Sequence, residues 1–141
     1  AERLLDLGSQ HRLDGPLAMA LFEVLIRSLP LAQDGEGEAG DRRIAAFRQS
    51  VERHLSEHRT AAFFASELAM TERTLTRLCR QRLGTTPLGY VQSRLITEAR
   101  RLLLYTNGTV AQIADELGFA DPSYFARFYK RMTGKSPRDD R

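Results

Sequence analysis

The feature that most constrains this sequence is an internal duplication. The segment Thr60–Pro87 recurs as Thr109–Pro137, and Arg77 matches Arg127 when the two copies are aligned. Positions after the turn are offset by 50 residues and positions before it by 49, so the second copy has one extra residue in its turn. Each copy has the pattern helix, turn, helix. A chain that repeats such a unit is expected to fold as two helical hairpins of one design.

Helix start and stop signals predict about seven helices. Thr60, Thr71 and Thr109 stand where helix N-caps are expected, and Gln112 completes a capping box with Thr109. No stretch alternates between apolar and polar residues with a period of two, so the sequence predicts an all-α fold. We expect the first hairpin at about 60–84, a long connecting helix at about 87–105 and the second hairpin at about 109–134.

The region ahead of the duplication differs from it in composition. We expect the duplicated domain to occupy residues 42–141. Residues 32–41 are acidic and Gly-rich, which is typical of a linker. Residues 1–31 are expected to form an extra helical segment, in which Leu17–Leu29 is too apolar on all sides to lie alone in water.

Positive charge is concentrated on the duplicated half. Residues 1–70 hold eight Arg and eleven acidic residues, a balance of −3, whereas residues 71–141 hold thirteen Arg or Lys and seven acidic residues, a balance of +6. This excess favours a polyanionic partner. All but two of the 21 cations are Arg. Its planar guanidinium pairs with guanine or phosphate, although a GC-rich genome also explains an Arg bias.

The second helix of each hairpin is predicted to have an apolar face and an opposite face of small, hydroxylic or basic residues. One outward face of this kind is typical of any solvated surface helix. Two such faces at equivalent positions of the two copies favour contact with base edges. The predicted core residues are Leu75, Leu78 and Cys79 in the first copy, and Phe125, Phe128, Tyr129 and Met132 in the second. The outward residues are Arg73, Thr76, Arg77 and Arg80 in the first copy, and Ser123, Ala126, Arg127 and Lys130 in the second.

The connecting helix suggests how the two copies act together. Nineteen residues from Pro87 to Tyr105 span roughly 28 Å at about 1.5 Å each. Neighbouring major grooves on one side of double-stranded DNA lie about 34–36 Å apart. We therefore hypothesise that one chain reads two adjacent major grooves and needs no palindrome. The helix starts at Thr60 and Thr109 are predicted to contact phosphates.

Arginines on the connecting helix are expected to have another role. Arg94, Arg100 and Arg101 are predicted mainly as structural ion-pair partners, with phosphate contact as the alternative. Their helix also carries the apolar positions that should pack on both hairpins.

Residue usage argues against several other classes. Cys79 is the single cysteine, which leaves no intrachain disulfide or zinc quartet. No signal sequence or membrane span is recognisable, so the sequence predicts a cytoplasmic protein. His54 and His58 have a spacing that can bind a metal, but without a third ligand nearby they are better interpreted as surface histidines. We predict no enzyme activity, no metal and no cofactor.

The second copy contains a familiar pattern. It reads Gly118-Phe-Ala-Asp-Pro-Ser-Tyr-Phe-Ala-Arg-Phe-Tyr-Lys130, followed by Gly134-Lys-Ser-Pro137. This pattern resembles the signature of the AraC/XylS family of bacterial transcription regulators. The resemblance extends over roughly residues 42–141, including both hairpins, the connecting helix and the one-residue difference between the turns.

The resemblance implies a seven-helix domain in which the second helix of each hairpin enters the major groove. Two residues differ from the family pattern, because Cys79 stands where Phe is usual and Asp140 stands where an aromatic residue is usual. By position, the base-reading candidates are Arg73, Thr76 and Arg77 in the first hairpin, and Pro122, Ser123, Tyr124, Ala126 and Arg127 in the second.

Partners other than DNA follow partly from the same resemblance. Family members often carry an effector-binding, dimerising domain ahead of this region, so residues 1–31 are interpreted as the tail of such a domain or as a homodimer contact. RNA polymerase is a further candidate partner. The alternative function is a helical protein-interaction module that acts on the transcription machinery without specific DNA reading.

Overall fold

The computed structural model describes residues 31–141, which form six α-helices and one short 3-10 helix. No strand occurs among these residues, and the predicted all-α class is confirmed. None of the helices in this part of the chain is long and apolar enough to cross a bilayer. The elements are α1 (Leu31–Arg53), the 3-10 helix (Leu55–Glu57), α2 (Ala61–Glu67), α3 (Glu72–Leu83), α4 (Pro87–Tyr105), α5 (Val110–Glu116) and α6 (Pro122–Thr133).

The predicted linker at residues 32–41 is corrected by the structure, which has α1 there. The compact unit begins at Ala39 rather than near Arg42. The stretch 32–41 contains three glycines, each of which weakens a helix by only about 0.5–1 kcal/mol relative to alanine. The first helical turns of the compact unit are held by an Asp41–Arg82 ion pair of 3.1 Å to α3. Except for Leu31, the predicted segment 1–31, with its helix at Leu17–Leu29, lies outside the described residues.

The two hairpins have the same construction. In the turn between α2 and α3, Ala69 adopts a left-handed conformation with φ of 53°, and in the turn between α5 and α6 Gly118 does so with φ of 79°. Each is followed by a residue whose N–H donates to a carbonyl inside the preceding helix, Met70 to Ala65 and Phe119 to Ala114, both at 2.9 Å. The second turn is one residue longer, as the sequence predicts.

Side-chain caps fix where the helices begin. A threonine hydroxyl accepts a hydrogen bond from a backbone N–H in the first turn of α2, α3, α4 and α5, and Asp121 does the same for α6. The capping box of Thr109 and Gln112 is complete, with Gln112 accepting from the Thr109 N–H at 2.8 Å. These caps satisfy N–H groups that a helix start otherwise leaves unpaired. The cap threonines are Thr60, Thr71, Thr86 and Thr109.

One apolar core joins the hairpins to α4, which contacts α3, α5 and α6. Phe47 of α1 packs edge-on against Phe64 of α2, with ring centroids 5.6 Å apart. In the second hairpin the Phe119 ring lies 5.4 Å from that of Phe128. Met132 is a correction to the predicted core, because it is 40% exposed. It lies in the last turn of α6.

The C-terminal residues form a turn at 137–140 where the sequence predicts the start of a last helix. Asp140 anchors this turn to the core. Its carboxylate accepts a 2.6 Å hydrogen bond from the Tyr129 hydroxyl and lies 3.5 Å from the Arg100 guanidinium. The residue that differs from the family pattern therefore has a polar partner within the fold.

Candidate nucleic-acid interface

The outward face of α3 is a row of unpaired guanidinium groups. Arg73, Arg77 and Arg80 are exposed and form no ion pair with any residue of the described range 31–141. Thr76 lies half-buried between them, while Leu75 and Cys79 on the opposite side are fully buried. The apolar face therefore fixes the rotation of the helix and directs the cations to solvent. Such a face suits close contact with an anionic, hydrogen-bonding surface.

Charge along α3 is strongly one-sided. Its only acidic residue is Glu72, in the first turn, where a carboxylate interacts favourably with the helix dipole. Arg82 has a different role from the outward arginines, because it pairs with Asp41 of α1. The cations predicted to read DNA are therefore separate from the cation that holds α1 and α3 together.

The outward face of α6 differs from that of α3 in that its arginine has neighbours. The Arg127 guanidinium lies 3.8 Å from an Asp121 carboxylate oxygen and 6.0 Å from the centroid of the Tyr124 ring. Tyr124 is 50% exposed. Asp121 also accepts from the Ser123 N–H at 2.9 Å, which caps the helix. These contacts limit the conformations of Arg127 without burying it.

The remaining predicted residues of α6 lie on the same outward side. Pro122 occupies the first turn and is exposed, Ala126 is half-buried and Lys130 is exposed. Below them Phe125 and Tyr129 are fully buried. Both predicted faces thus exist as exposed surfaces, whereas their contact with bases stays a prediction.

Two residues beyond these faces were missed by the sequence reasoning. Gln81 and Arg131 occupy equivalent positions in the two copies, one helical turn after Arg77 and Arg127, and both are exposed. The signal that identifies them is the same offset of 50 residues that matches the two arginines. The Arg131 guanidinium also lies 5.7 Å from the Phe128 ring centroid.

Thr60 and Thr109, the predicted phosphate contacts, serve the fold as N-caps. The Thr60 hydroxyl oxygen accepts from the Phe63 N–H at 3.3 Å, and that of Thr109 accepts from the Gln112 N–H at 3.2 Å. Both residues are exposed. Because capping uses each hydroxyl as an acceptor, its own proton is available to a phosphate oxygen. Phosphate contact at these two residues stays a prediction.

The arginines of α4 form ion pairs, as expected. Arg94 binds both carboxylate oxygens of Glu52 on α1, at 2.5 and 3.2 Å, and this hydrogen bonding raises the pKa of the guanidinium. Arg101 pairs with Glu98 on its own helix at 2.6 Å. These contacts confirm the predicted structural role of both arginines.

The two histidines make contacts within the fold. Among the described residues, no group of three or more potential metal ligands occurs. His54 Nδ1 lies 3.1 Å from a Glu57 oxygen, although the direction of this contact is not that of a hydrogen bond. His58 instead hydrogen-bonds through Nε2 to the Leu117 carbonyl oxygen at 2.9 Å.

A small polar cluster lies beside His54. Ser50, which is fully buried, donates its hydroxyl proton to Glu67, and this hydrogen bond is the main reason that the pKa of the Glu67 carboxyl is lowered. Arg53 also binds Glu67, at 3.1 Å. The cluster joins α1 to α2 and supports the first hairpin.

Comparison with known proteins agrees with this geometry. A helix-turn-helix domain family matches residues 64–141. The arabinose operon regulatory protein of Salmonella typhimurium is 31% identical over 127 residues, which cover 89% of this chain and 45% of that protein. The chain spans about half the length of the curated relatives it matches.

Solved structures share the fold. One is a transcriptional regulator with an AraC-type DNA-binding domain from Chromobacterium violaceum, with a TM-score of 0.66, 26% identity, and coverage of 74% of this chain and 93% of that one. Another is the DNA-binding domain of AdpA in complex with a target DNA, with a TM-score of 0.62, 27% identity, and coverage of 69% and 86%.

Proposed function

Since this chain belongs to the AraC-type family of helix-turn-helix proteins, we propose that it regulates transcription by binding specific sequences in double-stranded DNA. The observation that carries the proposal is the pair of exposed basic faces on α3 and α6. They occupy equivalent positions in two hairpins that pack on one connecting helix.

We propose that the two faces enter adjacent major grooves. Arg77 and Arg127 are the residues proposed to bind base edges, because an arginine fork matches the two acceptors of guanine. The support for two separate contacts is that each face has its own hairpin and core side chains. The proposed base-contacting sets are Arg73, Thr76, Arg77 and Arg80 on α3, and Pro122, Ser123, Tyr124, Ala126, Arg127 and Lys130 on α6.

Contacts to the DNA backbone are proposed at Thr60 and Thr109. Both lie at the start of the first helix of a hairpin, where free N–H groups and a positive helix end favour phosphate. Such contacts would position the hairpins on the duplex without reading sequence.

Partners other than DNA are also part of the proposal. RNA polymerase and a second copy of the chain, bound through residues 1–31 or a preceding domain, stay predictions from the sequence. The same is true of the cytoplasmic location and the absence of enzyme activity. The named relatives are regulators of transcription.

Selection of binding sites from random duplex DNA tests the proposal. We expect enrichment of two short sequence blocks, with an affinity that falls with salt by a log-log slope of about −0.9 for each phosphate contact. Recovery of unrelated sequences at low ionic strength would reject specific reading.

The alternative function, an interaction module for the transcription machinery, predicts no selected DNA sequence. A double variant, Arg77→Ala with Arg127→Ala, distinguishes the two functions. On a selected site, DNA reading predicts a large loss of affinity. If the chain is a module that does not read DNA, no site is selected and the double variant has the same DNA affinity as the wild type.

A further inference from the structure

The 3-10 helix and the second hairpin are in direct contact. The carbonyl oxygen of Ser56, in the 3-10 helix, lies so close to Gly118 that a Cβ atom added there would be 1.8 Å from it. Since Gly118 is in the turn between α5 and α6, the segment that leaves α1 is packed against the turn that precedes the second reading helix.

Glycine at this turn is required by the contact and not by the turn itself. The first hairpin has the same turn, and there Ala69 occupies the equivalent left-handed position with φ of 53°. An alanine is therefore tolerated in this backbone conformation. At residue 118 it is the Ser56 carbonyl that leaves no space for a side chain.

His58 makes a second contact between the same two segments. Its Nε2 lies 2.9 Å from the Leu117 carbonyl oxygen, so Nε2 carries the proton and donates it. The imidazole also packs edge-on against Phe119, with ring centroids 4.6 Å apart. His58 has a left-handed backbone, with φ of 53°.

We propose that this junction between the 3-10 segment and the second hairpin, formed by Ser56, His58, Leu117, Gly118 and Phe119, fixes the spacing between the two DNA blocks that the chain accepts. His58 and Gly118 are positioning residues and contact no base. The proposal rests on the proposed function, because it requires that both reading helices bind one duplex.

The physical reason is the short path from the junction to α6. Phe119 packs directly on Phe125 and Phe128 of that helix, with ring centroids 5.2 and 5.4 Å apart. A displacement of the turn therefore moves the reading helix with it. One base pair corresponds to about 3.4 Å along the duplex, so a shift of that size changes which spacing fits best.

The test measures affinity for duplexes in which the distance between the two selected blocks is changed by one or two base pairs in each direction. Gly118→Ala is compared with Gly134→Ala. Both glycines have nearly the same φ, 79° and 80°, but nothing lies within 4 Å of a Cβ at Gly134. The two variants therefore share the backbone strain and differ in the steric clash.

We expect wild-type protein and Gly134→Ala to prefer one spacing by about tenfold or more, a factor within the range that a single wrong base pair costs. Gly118→Ala is expected to move the optimum or reduce the preference to below about threefold. Binding to a duplex that holds only the first block should not change.

His58 provides an independent variant in case Gly118→Ala does not fold. His58→Asn keeps a residue that tolerates the left-handed conformation but is too short to reach Leu117. It is expected to relax the spacing preference at least threefold. His58→Gln retains a donor of similar reach and should restore most of the preference.

The possible outcomes distinguish a failure of the spacing proposal from a failure of the proposed function. Loss of affinity by the same factor at every spacing would show that the junction only stabilises the fold and would overturn the proposal, as would an unchanged preference in His58→Asn. A wild-type chain that never binds a second block would contradict the proposed function itself, and the junction's role in spacing would fail with it. Thermal melts of each variant identify the fraction folded.

Discussion

At the scale of single residues, Arg77 is the most direct test of base reading. It is exposed and forms no ion pair with the described residues, so its removal changes the surface and not the core. We expect Arg77→Ala to lose about 1–3 kcal/mol of binding free energy and to relax the preference at one base position. Binding titrations on the selected site and its single-base variants measure both effects.

The matched control for Arg77 is Arg48, an exposed arginine on α1. Arg48→Ala removes the same charge from a helix that is not predicted to read bases, and it should leave the base preference unchanged. If Arg77→Ala affected all sequences equally, as Arg48→Ala is expected to do, Arg77 would be a backbone contact and its assignment to a base would be wrong.

Asp140 gives a prediction about pH. Its pKa is lowered, first by the hydrogen bond from Tyr129 and then by Lys135 and Arg100. A carboxyl group whose pKa is lower in the folded state stabilises the fold above its ordinary value of about 3.9, and this contribution is lost as the pH falls through the lower folded value. We expect Asp140→Asn to reduce the melting temperature at pH 7, and the gap from wild type to close below about pH 3.9.

The control for this measurement is Asp139→Asn, which removes the same charge without the Tyr129 contact. Melting curves between pH 7 and pH 2 are compared for all three proteins. A gap between wild type and Asp140→Asn that persists unchanged at the lowest pH would contradict an ionic role for Asp140.

At the scale of elements, the second hairpin depends on its aromatic cluster. Phe128 is 4% exposed and packs on Phe119. We expect Phe128→Ala to cost about 3–5 kcal/mol of unfolding free energy, because it leaves a cavity under α6. Denaturant unfolding measures this loss, and DNA binding through the second hairpin should disappear with it.

Met132 is the control for Phe128, since both are apolar residues of α6 but Met132 is 40% exposed. Met132→Ala should change the unfolding free energy by less than about 0.5 kcal/mol. A cost for Met132→Ala as large as that for Phe128→Ala would contradict the observed difference in burial.

The sequence predicted the elements of the duplicated region well because their signals are local. Caps such as Thr71 and stops such as Gly84 depend on neighbours within one helical turn, and both are observed where expected. Repetition of the pattern in two copies is the reason that the sequence predicts two reading faces and not two ordinary surface helices.

The sequence-based predictions were wrong or incomplete where contacts between residues distant in the chain determine the structure. Residues 32–41 have the composition of a linker, but they form part of α1, and the last of them, Asp41, pairs with Arg82 of α3. The Tyr129–Asp140 hydrogen bond and the contact of Gly118 with Ser56 join residues that no local pattern connects. Composition and periodicity report which faces are apolar, but they do not report which polar groups meet.

At the scale of the whole molecule, the proposed function requires that both predicted reading helices act on one duplex. The 19 residues of α4 extend for roughly 28 Å, and the hairpins on either side each present one exposed cationic face. A single chain therefore has the parts needed for two contacts with DNA, whereas a typical helix-turn-helix protein obtains its second contact from a partner subunit.

Hydroxyl-radical footprinting of the chain at one molecule per duplex, on a selected site, tests this claim most directly. We expect two protected patches on the same side of the duplex, centred about 10–10.5 base pairs apart, and Arg127→Ala should weaken one patch while the other remains. Protection of a single groove at full occupancy, with the second patch appearing only when a second molecule binds, would contradict this claim.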